Sequence, residues 1–398
     1  MKFSRRGLLS RRKFLRMGVA AATALAVLSL SKLQALSYLI YPFKQKLGQE
    51  VNYKSRKFTI VGKNSLKQRA KARGLIYGAF PQASSQDFGR DRKLQASFVR
   101  DCAAITVGAF WITIRPTVQT FDFQESDYFV KFGLKNKMLL RGHPLLWHES
   151  MPDWFLSTIN SSNAEQMLTQ HIQTVVRRYA GKMHSWDVVN EAIDVGDSRT
   201  DGMRKNPWLK FLGPDYVDLA FKLAAKADPQ AKLVYNEFGV EYDLEGDDTK
   251  REAVLNLLQR LKSKGTPIYA LGIQSHLGSN IEKFNRAKFR KFLNDVASLG
   301  LKIMITEMDV TDNNLPKDIN QRDRIVAATY EDYLNIALAQ KAVISVTTWG
   351  LSDRYTWLSD HKPRPDRAAV RPLPFDREMK PKLVWNALAR AFDRAPKR

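Results

Sequence analysis

Residues 185–191 have the sequence SWDVVNE, and this stretch sets the pattern on which the chain is built. Its apolar run predicts a short buried strand that ends in an amide and a carboxylate. Segments with helical periodicity flank it, Glu165–Tyr179 before and Asp215–Ala227 after. A buried strand between two such helices is typical of a parallel sheet whose faces are covered by helices.

The same plan recurs from about Ser65 to the end of the chain. Eight strand-and-helix units over roughly 330 residues are what a closed (β/α)8 barrel, the TIM barrel, requires. We therefore predict an α/β fold, a (β/α)8 TIM barrel that forms a single catalytic domain over residues 65–398. The predicted strands are Leu75–Phe80, Ala104–Val107, Met138–His143, Ser185–Asn190, Lys232–Asn236, Leu271–Ser275, Lys302–Thr306 and Ser345–Trp349. The predicted helices include Glu165–Tyr179, Asp215–Ala227, Thr249–Lys264, Ala287–Leu299, Arg322–Leu338 and Pro381–Phe392.

An open, doubly wound sheet is the alternative to a closed barrel. Such a sheet commonly carries a G-x-G-x-x-G motif after its first strand, and its binding residues gather at one switch point. Here no such motif follows Leu75–Phe80, and polar or aromatic residues follow nearly every strand. The sequence therefore favours the barrel.

The formal net charge of +24 raises the question of a nucleic-acid partner. Residues 1–73 hold 18 Lys and Arg against one acidic residue, Glu50, a net +17 that leaves 24 − 17 = +7 for the remaining chain. The charge thus belongs mainly to the N-terminal segment rather than to a basic stripe with interleaved aromatics, so we predict no nucleic-acid binding. The single cysteine, Cys102, leaves no possibility of an intrachain disulfide.

The N-terminal segment has the pattern of an export signal. Residues 10–16, SRRKFLR, match the twin-arginine signal, and an apolar run from Met17 to Leu30 follows. We predict a twin-arginine signal peptide or membrane anchor over residues 1–45 and a basic linker over 46–64. The chain would then be periplasmic, secreted or N-terminally membrane-anchored. An uncleaved anchor stays open because no clear A-x-A site is visible and Lys32 interrupts the apolar run.

Two predicted strands end in a glutamate, Glu191 after the fourth and Glu307 after the seventh. Active sites of such barrels are assembled from the carboxyl ends of the strands, so we expect the two side chains to meet. Hydrolysis of a glycosidic bond needs such a pair, because one carboxyl must be protonated to assist the leaving oxygen and the other must be ionised. A single glutamate after a strand would be weak support, and two at matching positions are much stronger.

Further strand ends carry groups suited to sugars, whose flat faces stack on indoles and whose hydroxyls bind amides and imidazoles. A metal site is the competing use of the three histidines among them. No H-E-x-x-H motif or His/Cys cluster with ligand spacing is present, so we predict neither a metal nor a cofactor. These candidate binding residues are His143, Trp147, His148, Asn190, Asn236, Gln274, His276, Asp309, Trp349 and Trp357.

From about Ser65 to the closing helix, the sequence resembles glycoside hydrolase family 10, the barrel xylanases. The resemblance rests on residues 141–143 (RGH) with 147–148 (WH), 186–191 (WDVVNE), 274–276 (QSH), 305–309 (ITEMD) and 349–357 (WGLSDRYTW), in the family's order. It implies that Glu191 is the general acid/base and that Glu307 is the nucleophile of a retaining hydrolase. It further implies that Asn190 binds the sugar 2-hydroxyl, that His276 and Asp309 support Glu307, and that Asn236 lies near the acid/base. Gln274 and His143 would line the same subsite, and Trp349 and Trp357 would cover the bound sugar.

The second predicted strand departs from the family pattern. The family usually carries Pro-Glu-Asn there, followed by Lys-Trp, to hold the next sugar on the non-reducing side, whereas residues 107–111 read VGAFW. Trp111 aligns with the family tryptophan only across a short deletion, and the Glu, Asn and Lys have no equivalents. A smaller change places Phe238 and Gly239 where Tyr-Asn is common.

We predict a monomeric, retaining endo-acting hydrolase that cleaves β-1,4-xylosidic bonds, with a β-linked polysaccharide or oligosaccharide as its partner. Contact with a membrane would come only through an uncleaved N-terminal segment. Because of the second strand, two alternatives stay open. One is a carbohydrate-binding or weakly active barrel, and the other is a related enzyme with altered glycan specificity.

Overall fold

The computed structural model describes residue 53, residues 55–279 and residues 284–398. The predicted leader, residues 1–45, lies outside the described residues. Those residues all fall within one compact unit, Asn52–Arg398. None of the helices in this part of the chain is long and apolar enough to cross a bilayer.

Parallel strands form a closed barrel at the centre of this unit. The strands of the described residues are β1 (Ile76–Ala79), β2 (Ala104–Gly108), β3 (Leu139–His143), β4 (Ser185–Asn190), β5 (Lys232–Glu237), β6 (Ala270–Ile273), β7 (His276–Leu277), β8 (Lys302–Val310) and β9 (Val343–Thr348). Each strand pairs with the next along the chain from β1 to β6, β6 pairs with β8, and β9 pairs with both β8 and β1. This closure confirms the (β/α)8 barrel and excludes the open sheet.

The two-residue strand β7 is not one of the eight strands that form the barrel. It pairs with the far end of β8, where His276 lies opposite Asp309. The other strands correspond one to one with the eight predicted from the sequence. The chief difference is that β8 runs to Val310, four residues beyond its predicted end.

Helices cover the outside of the barrel and alternate with the strands. An amphipathic helix of ten or more residues follows each of the eight barrel strands, and shorter helices lie at the strand ends where the chain enters a loop. In the described residues the α-helices are Leu66–Lys71, Ser85–Arg90, Arg92–Asp101, Trp111–Ile114, Gln124–Lys135, Trp154–Thr158, Ala164–Arg178, Pro207–Leu212, Tyr216–Ala227, Asp247–Ser263, Arg286–Ser298, Ile319–Ala337, Leu358–His361 and Leu383–Arg394, and Val195–Asp197 is a 3₁₀ turn.

The barrel strands are buried on both faces, because side chains fill the interior and helices cover the exterior. All six residues of β4 are buried. Trp186 is fully buried, and a Cβ on the neighbouring Gly142 would come within 2.1 Å of its indole ring. Glycine at position 142 thus makes room for a core tryptophan, so Trp186 packs the barrel rather than binding a ligand.

The described residues that precede the barrel lie against its helices. Arg56 forms ion pairs with Glu331 and Asp332 on helix Ile319–Ala337. Phe58 is buried, and its carbonyl oxygen accepts a hydrogen bond from Asn386 on helix Leu383–Arg394 at 2.9 Å. We call residues 55–62 the strap. The strap attaches the chain that leads into the barrel to helices Ile319–Ala337 and Leu383–Arg394.

Candidate active site

Glu191 stands immediately after β4 in an uncommon backbone conformation. Its φ angle is +59°, in the left-handed region that non-glycine residues seldom adopt. Its backbone N–H donates to the carbonyl oxygen of Asn236 at the end of β5, at 2.9 Å. Two other non-glycine residues at this end of the barrel, Gln82 and Ser275, have φ angles of +54° and +64°. Such strained residues cluster where a fold must aim side chains at a site.

Glu307 is buried within β8 and accepts hydrogen bonds on both carboxylate oxygens. Asn236 Nδ2 donates to Oε1 at 2.7 Å, and His276 Nε2 lies 3.2 Å from Oε2. His143 Nδ1 lies 3.7 Å from Oε1. Burial opposes ionisation, but the charges of His143, His276 and Arg141 and the hydrogen bond from His276 hold the pKa of Glu307 at about 2. Glu307 is therefore ionised at neutral pH.

Glu191 lies in a different environment. Gln274 Nε2 donates to its Oε1 at 2.9 Å, and Asn190 Nδ2 donates to the same oxygen at 3.1 Å. Burial raises the pKa of Glu191 above its ordinary value, and the charges of Glu237 and Glu307 raise it further. The site thus holds one carboxyl that favours the proton and one that does not.

Asn236 joins the two carboxyls through a short network. Its Nδ2 donates to Asn190 Oδ1 at 2.8 Å as well as to Glu307, and its Oδ1 accepts from Thr306 at 2.7 Å. The amide lies directly over Gly272 of β6, where a Cβ would come within 2.3 Å of Asn236 Oδ1. The absence of a side chain on Gly272 leaves the space that Asn236 occupies.

His276 connects Glu307 to a second carboxylate and to an indole. Its Nδ1 lies 2.9 Å from Asp309 Oδ1, and Trp357 Nε1 donates to Asp309 Oδ2 at 2.7 Å. Burial would lower the pKa of His276, but Asp309 and Glu307 raise it to about 10. The imidazole is therefore a cation at neutral pH and donates from both nitrogens.

His143 belongs to a buried ion network under the site. Its Nδ1 lies 2.6 Å from Asp187 Oδ2, and Arg141 binds the same oxygen. His143, Asp187 and Glu307 bring one potential ligand atom each within 4.8 Å of one another, close enough to surround a metal ion. The guanidinium of Arg141 already provides a fixed positive charge there and would repel such an ion. The donor set therefore fits a hydrogen-bonded ion network better than a metal site.

His148 and Trp147 lie beside Glu191. His148 Nδ1 is 4.0 Å from Glu191 Oε2. Burial and the nearby charge of Arg204 lower the pKa of His148 to about 4, so its imidazole is neutral at physiological pH. The indole of Trp147 is half-buried, with its ring 6.1 Å from that of His148.

Trp349 and Trp357 are held in place by Gln82, which follows β1. Gln82 Nε2 donates to the carbonyl oxygen of Trp349 at 2.6 Å, and its Oε1 accepts from the backbone N–H of Trp357 at 2.8 Å. Phe80 stacks on Trp349 with ring centroids 4.4 Å apart. One glutamine side chain thus fixes both tryptophans relative to the barrel.

Trp111 does not line the site. It is 2% exposed, its Nε1 donates to the carbonyl oxygen of Leu145 at 2.7 Å, and it stacks on His171 at 3.7 Å. The indole belongs to a core cluster with Trp154 and Trp208. Among the aromatic residues at the end of β2, Phe110 faces the site instead, 5.5 Å from the ring of His143.

The sequence profile of glycosyl hydrolase family 10 matches residues 65–391. The chain belongs to this family. Beta-1,4-xylanase of Dictyoglomus thermophilum is 34% identical over 285 residues, which cover 69% of this chain and 77% of that protein. Endo-1,4-beta-xylanase C of Paenibacillus barcinonensis is 36% identical over 313 residues, 72% of this chain and 28% of that protein.

Solved structures are similar over most of this family 10 chain. Native xylanase 10B from Thermotoga maritima has a TM-score of 0.75 at 29% identity and covers 83% of this chain and 98% of its own. Xylanase 10B from Thermotoga petrophila RKU-1, solved in complex with xylobiose, has a TM-score of 0.74 at 28% identity and covers 84% of this chain and 99% of its own. Some curated relatives are longer proteins, since the chain spans 28% of the Paenibacillus enzyme and 40% of endo-1,4-beta-xylanase A from Caldicellulosiruptor sp..

This family 10 barrel brings the predicted site residues together at the carboxyl ends of its strands. Hydrogen bonds, ion contacts or ring contacts join the two glutamates to the ten candidate binding residues in one network. The residues at the site that were not predicted as site residues include Gln82, Phe110 and Asp187. The strand-end rule would have found Gln82 and Phe110 had it been applied to β1 and β2. Asp187 lies inside a strand, and no sequence signal distinguishes it from a core residue.

Proposed function

We propose that the chain is a retaining endo-1,4-β-xylanase that hydrolyses xylan through Glu191 and Glu307. The observation that carries this proposal is the opposite shift of the two buried carboxyl pKa values within one hydrogen-bonded network. Membership of family 10, and the relatives named as xylanases, support xylan as the substrate. The structures of relatives include one solved with xylobiose, which supports binding of a short β-linked xylose chain.

In the proposed mechanism Glu307 attacks the anomeric carbon of the sugar while Glu191 gives its proton to the leaving oxygen. The C–O bond to the leaving sugar breaks and an ester bond to Glu307 forms. Glu191, now ionised, removes a proton from water, which attacks the anomeric carbon and releases Glu307 as a carboxylate. His276 holds Glu307 ionised and aimed at the carbon, and Asn190 is placed to bind the 2-hydroxyl, a contact that strengthens in the transition state.

Two matched variants test these roles in the purified full-length chain. Glu307→Gln removes the nucleophile, so it should lose about a thousandfold or more of the rate on xylan and on an activated aryl xyloside. Glu191→Gln should lose a similar factor on xylan but keep a rapid first turnover on a dinitrophenyl xyloside, whose leaving group needs no proton. Glu149→Gln, which changes an exposed carboxyl near His148, is the control. Wild-type activity in Glu307→Gln would overturn the assignment.

The stereochemical outcome is a separate test. Proton NMR of the first products should detect the β-anomer before mutarotation, because two inversions at the anomeric carbon restore its configuration. Initial appearance of the α-anomer would mean that a water molecule attacks directly, and the nucleophilic role of Glu307 would be wrong.

A related enzyme with altered glycan specificity is the second candidate function. Phe110 stands where the family usually carries polar groups, and one relative, 34% identical over 292 residues, is named exoglucanase XynX from Acetivibrio thermocellus. Rates on xylan, mixed-linkage glucan and aryl glycosides would separate this candidate from a xylanase. Calorimetric binding of xylo- and cello-oligosaccharides without any hydrolysis over a day would favour a carbohydrate-binding barrel instead.

We propose that residues 1–45 direct export by the twin-arginine route, that residues 46–64 join them to the barrel of residues 65–398, and that the protein acts as a monomer outside the cytoplasm. The twin arginines at positions 11 and 12 and the following apolar run support export. Replacing Arg11 and Arg12 by lysine should retain the chain in the cytoplasmic fraction. Light scattering should give a mass near 45.5 kDa, or less if the leader is removed. Unchanged export of the lysine variant would refute this route.

A further inference from the structure

The site is walled by polar side chains on one side and by aromatic rings on the other. Amides and an imidazole, those of Asn190, Asn236, Gln274 and His276, surround the two carboxyls. Across the site, at the ends of β1, β2, β3 and β9, the rings of Phe80, Phe110, Trp147 and Trp349 stand around His143. We call these four rings the aromatic wall.

The rings of the wall form a chain of contacts. Phe80 stacks on Trp349 at 4.4 Å, Trp349 meets His143 edge-on at 5.1 Å, His143 meets Phe110 at 5.5 Å, and Phe110 lies 6.1 Å from Trp147. Phe80, Phe110 and Trp147 are each partly exposed. The wall therefore has apolar surface that a bound molecule can cover.

Glycine at position 108 allows the two phenyl rings to converge. A Cβ on Gly108 would lie 3.2 Å from Phe110 Cε2 and 4.0 Å from Phe80 Cε2, so both rings close over this position. The nearby backbone is already hydrogen-bonded. Ser126 donates to the carbonyl oxygen of Gly108 at 2.6 Å, and Ala109 N–H donates to that of His143 at 2.6 Å. The end of β2 thus offers ring surface where a hydroxyl-binding site would offer donors and acceptors.

Three rings of the wall, those of Phe80, Phe110 and Trp349, lie toward Glu307, whereas Trp147 lies nearer Glu191. We place the glycone beside these three rings because His143, which Phe110 and Trp349 contact, is 3.7 Å from the carboxylate of Glu307, the group that takes up the glycone in the proposed mechanism. Glu191, which serves the leaving sugar, is bound instead by Gln274. A sugar placed beyond the cleaved residue on the non-reducing side would therefore meet Phe110 and its neighbours.

We propose that the aromatic wall selects a glycone sugar whose hydroxyls are esterified by acetyl groups. This inference rests on the proposed function and specifies its substrate. A free hydroxyl against a phenyl ring loses its bonds to water without replacement, which is unfavourable. An acetyl ester has no hydroxyl hydrogen to satisfy, and its methyl group gains by covering apolar surface. At Phe80 and Phe110 the wall thus penalises a free hydroxyl and favours an acylated one, so that Phe110 is a specificity-determining residue.

The test compares one preparation of acetylated xylo-oligosaccharides before and after removal of its esters by mild alkali, using the full-length chain. We expect kcat/KM to be about threefold to fivefold higher on the acetylated material, the effect of burying one methyl group. Phe110→Asn should abolish or reverse this ratio, and Phe110→Leu, which keeps an apolar side chain, should preserve it. Ile112→Asn, a change of a neighbouring residue that is 51% exposed, is the matched control and should leave the ratio unchanged.

The ratio of dissociation constants for the same two materials is measured by calorimetry in Glu307→Gln. Hydrolysis of both materials at equal kcat/KM, or a ratio that Phe110→Asn leaves unchanged, would overturn the role of the wall and leave the proposed function intact. Failure of the wild type to hydrolyse either material, together with tighter binding of the acetylated one, would overturn the proposed function and support the wall. Equal binding without hydrolysis would overturn both.

Discussion

Glu191 and Glu307 ionise over different pH ranges because they meet different partners. Burial opposes ionisation of both carboxyls. Glu307 also faces His143, His276 and Arg141, and its pKa falls to about 2, whereas Glu191 is bound by the neutral amide of Gln274 and keeps a raised pKa. Between these pKa values one carboxyl is ionised and the other protonated, the state in which retaining hydrolysis begins.

His276→Asn should narrow that pH range from the acid side. Removing the imidazolium lets the pKa of Glu307 rise toward its ordinary value, so the acid limb of kcat/KM should move to higher pH. The alkaline limb, which follows loss of the proton from Glu191, should stay in place. Rate profiles on xylan measure both limbs. His361→Asn, which changes an exposed histidine, should leave both in place, and a shift of the alkaline limb alone in His276→Asn would contradict this account.

Proton transfer between the steps also follows from these neighbours. The charge of Glu307 is one of the causes that raise the pKa of Glu191, after burial and together with the charge of Glu237. In the proposed mechanism Glu307 becomes a neutral ester, and that contribution disappears. Glu191 then holds its proton less firmly, at the stage when it must act as a base.

For single residues, the sequence predicted most of the side chains that follow strands, but it did not predict which residues far apart in the chain contact one another. Glu191 and Glu307 could be predicted because each lies at the end of an apolar run. Gln82 also follows a strand, but its contacts with Trp349 and Trp357 span more than 260 residues of sequence, so nothing local indicates its partners. Trp111 packs in the core, whereas Phe110 faces the site. This difference depends on a helix of four residues, which is too short to produce a periodic sequence pattern.

Strand β6 illustrates how one element positions a residue of another. Gly272 lies beneath the amide of Asn236 on β5, so a methyl group at position 272 must displace that amide or push the strands apart. Gly272→Ala should therefore lower kcat by about tenfold to a hundredfold and cost about 1–3 kcal/mol of stability. Steady-state rates and denaturant titration measure the two effects.

The control for that substitution is Gly196→Ala, where the nearest atom to the added Cβ is an oxygen of Asp194 at 3.1 Å, the end of a flexible side chain. Both parameters should change little in this variant. A Gly272→Ala protein with wild-type kcat would mean that Asn236 does not need its observed position.

The strap and the closing helices meet at one buried carboxylate. Glu331, 2% exposed, contacts Arg56 of the strap at 3.2 Å and Arg390 and Arg394 of the last helix at 2.6 and 3.0 Å. Glu331→Ala leaves three guanidinium groups without this partner and should lower the free energy of unfolding by about 2–4 kcal/mol. Thermal and denaturant unfolding measure the loss. Exposed Glu378 gives the control variant Glu378→Ala, and equal stability of the two variants would contradict a stabilising role for Glu331.

Element boundaries could be predicted where a pattern was long enough. The predicted helix Asp215–Ala227 is observed as Tyr216–Ala227, and the predicted strand Ser185–Asn190 matches in full. β8 was predicted to end at Thr306, where its apolar run gives way to polar residues, yet it continues to Val310. Its polar side chains point into a site instead of into solvent, which the alternation of residue types alone does not reveal.

For the molecule as a whole, the order of elements was enough to predict the barrel, but not how it closes. Eight strand-and-helix units make a ring possible, whereas the pairings that complete it join residues far apart in sequence. Ile76 of β1 lies opposite Ser345 of β9, and Ala270 of β6 lies opposite Lys302 of β8. Similarly, the charge of +24 would suggest a polyanion partner until its position along the chain is considered. The prediction of no nucleic-acid binding therefore rests on where the charged residues lie along the chain and not on the total net charge.

Because β6 pairs with β8 and β9 with β1, the barrel strands behave as one hoop, on which Glu191 and Glu307 are three strands apart. If one strand pairing of this hoop opens, the whole barrel loses its geometry. Heat should therefore inactivate the protein at the temperature at which its tertiary structure melts, without an active, partly unfolded form. Residual activity and near-ultraviolet circular dichroism, followed on the same heated samples, should share one midpoint. Inactivation several degrees below melting would mean that the catalytic end loosens while the hoop is still closed.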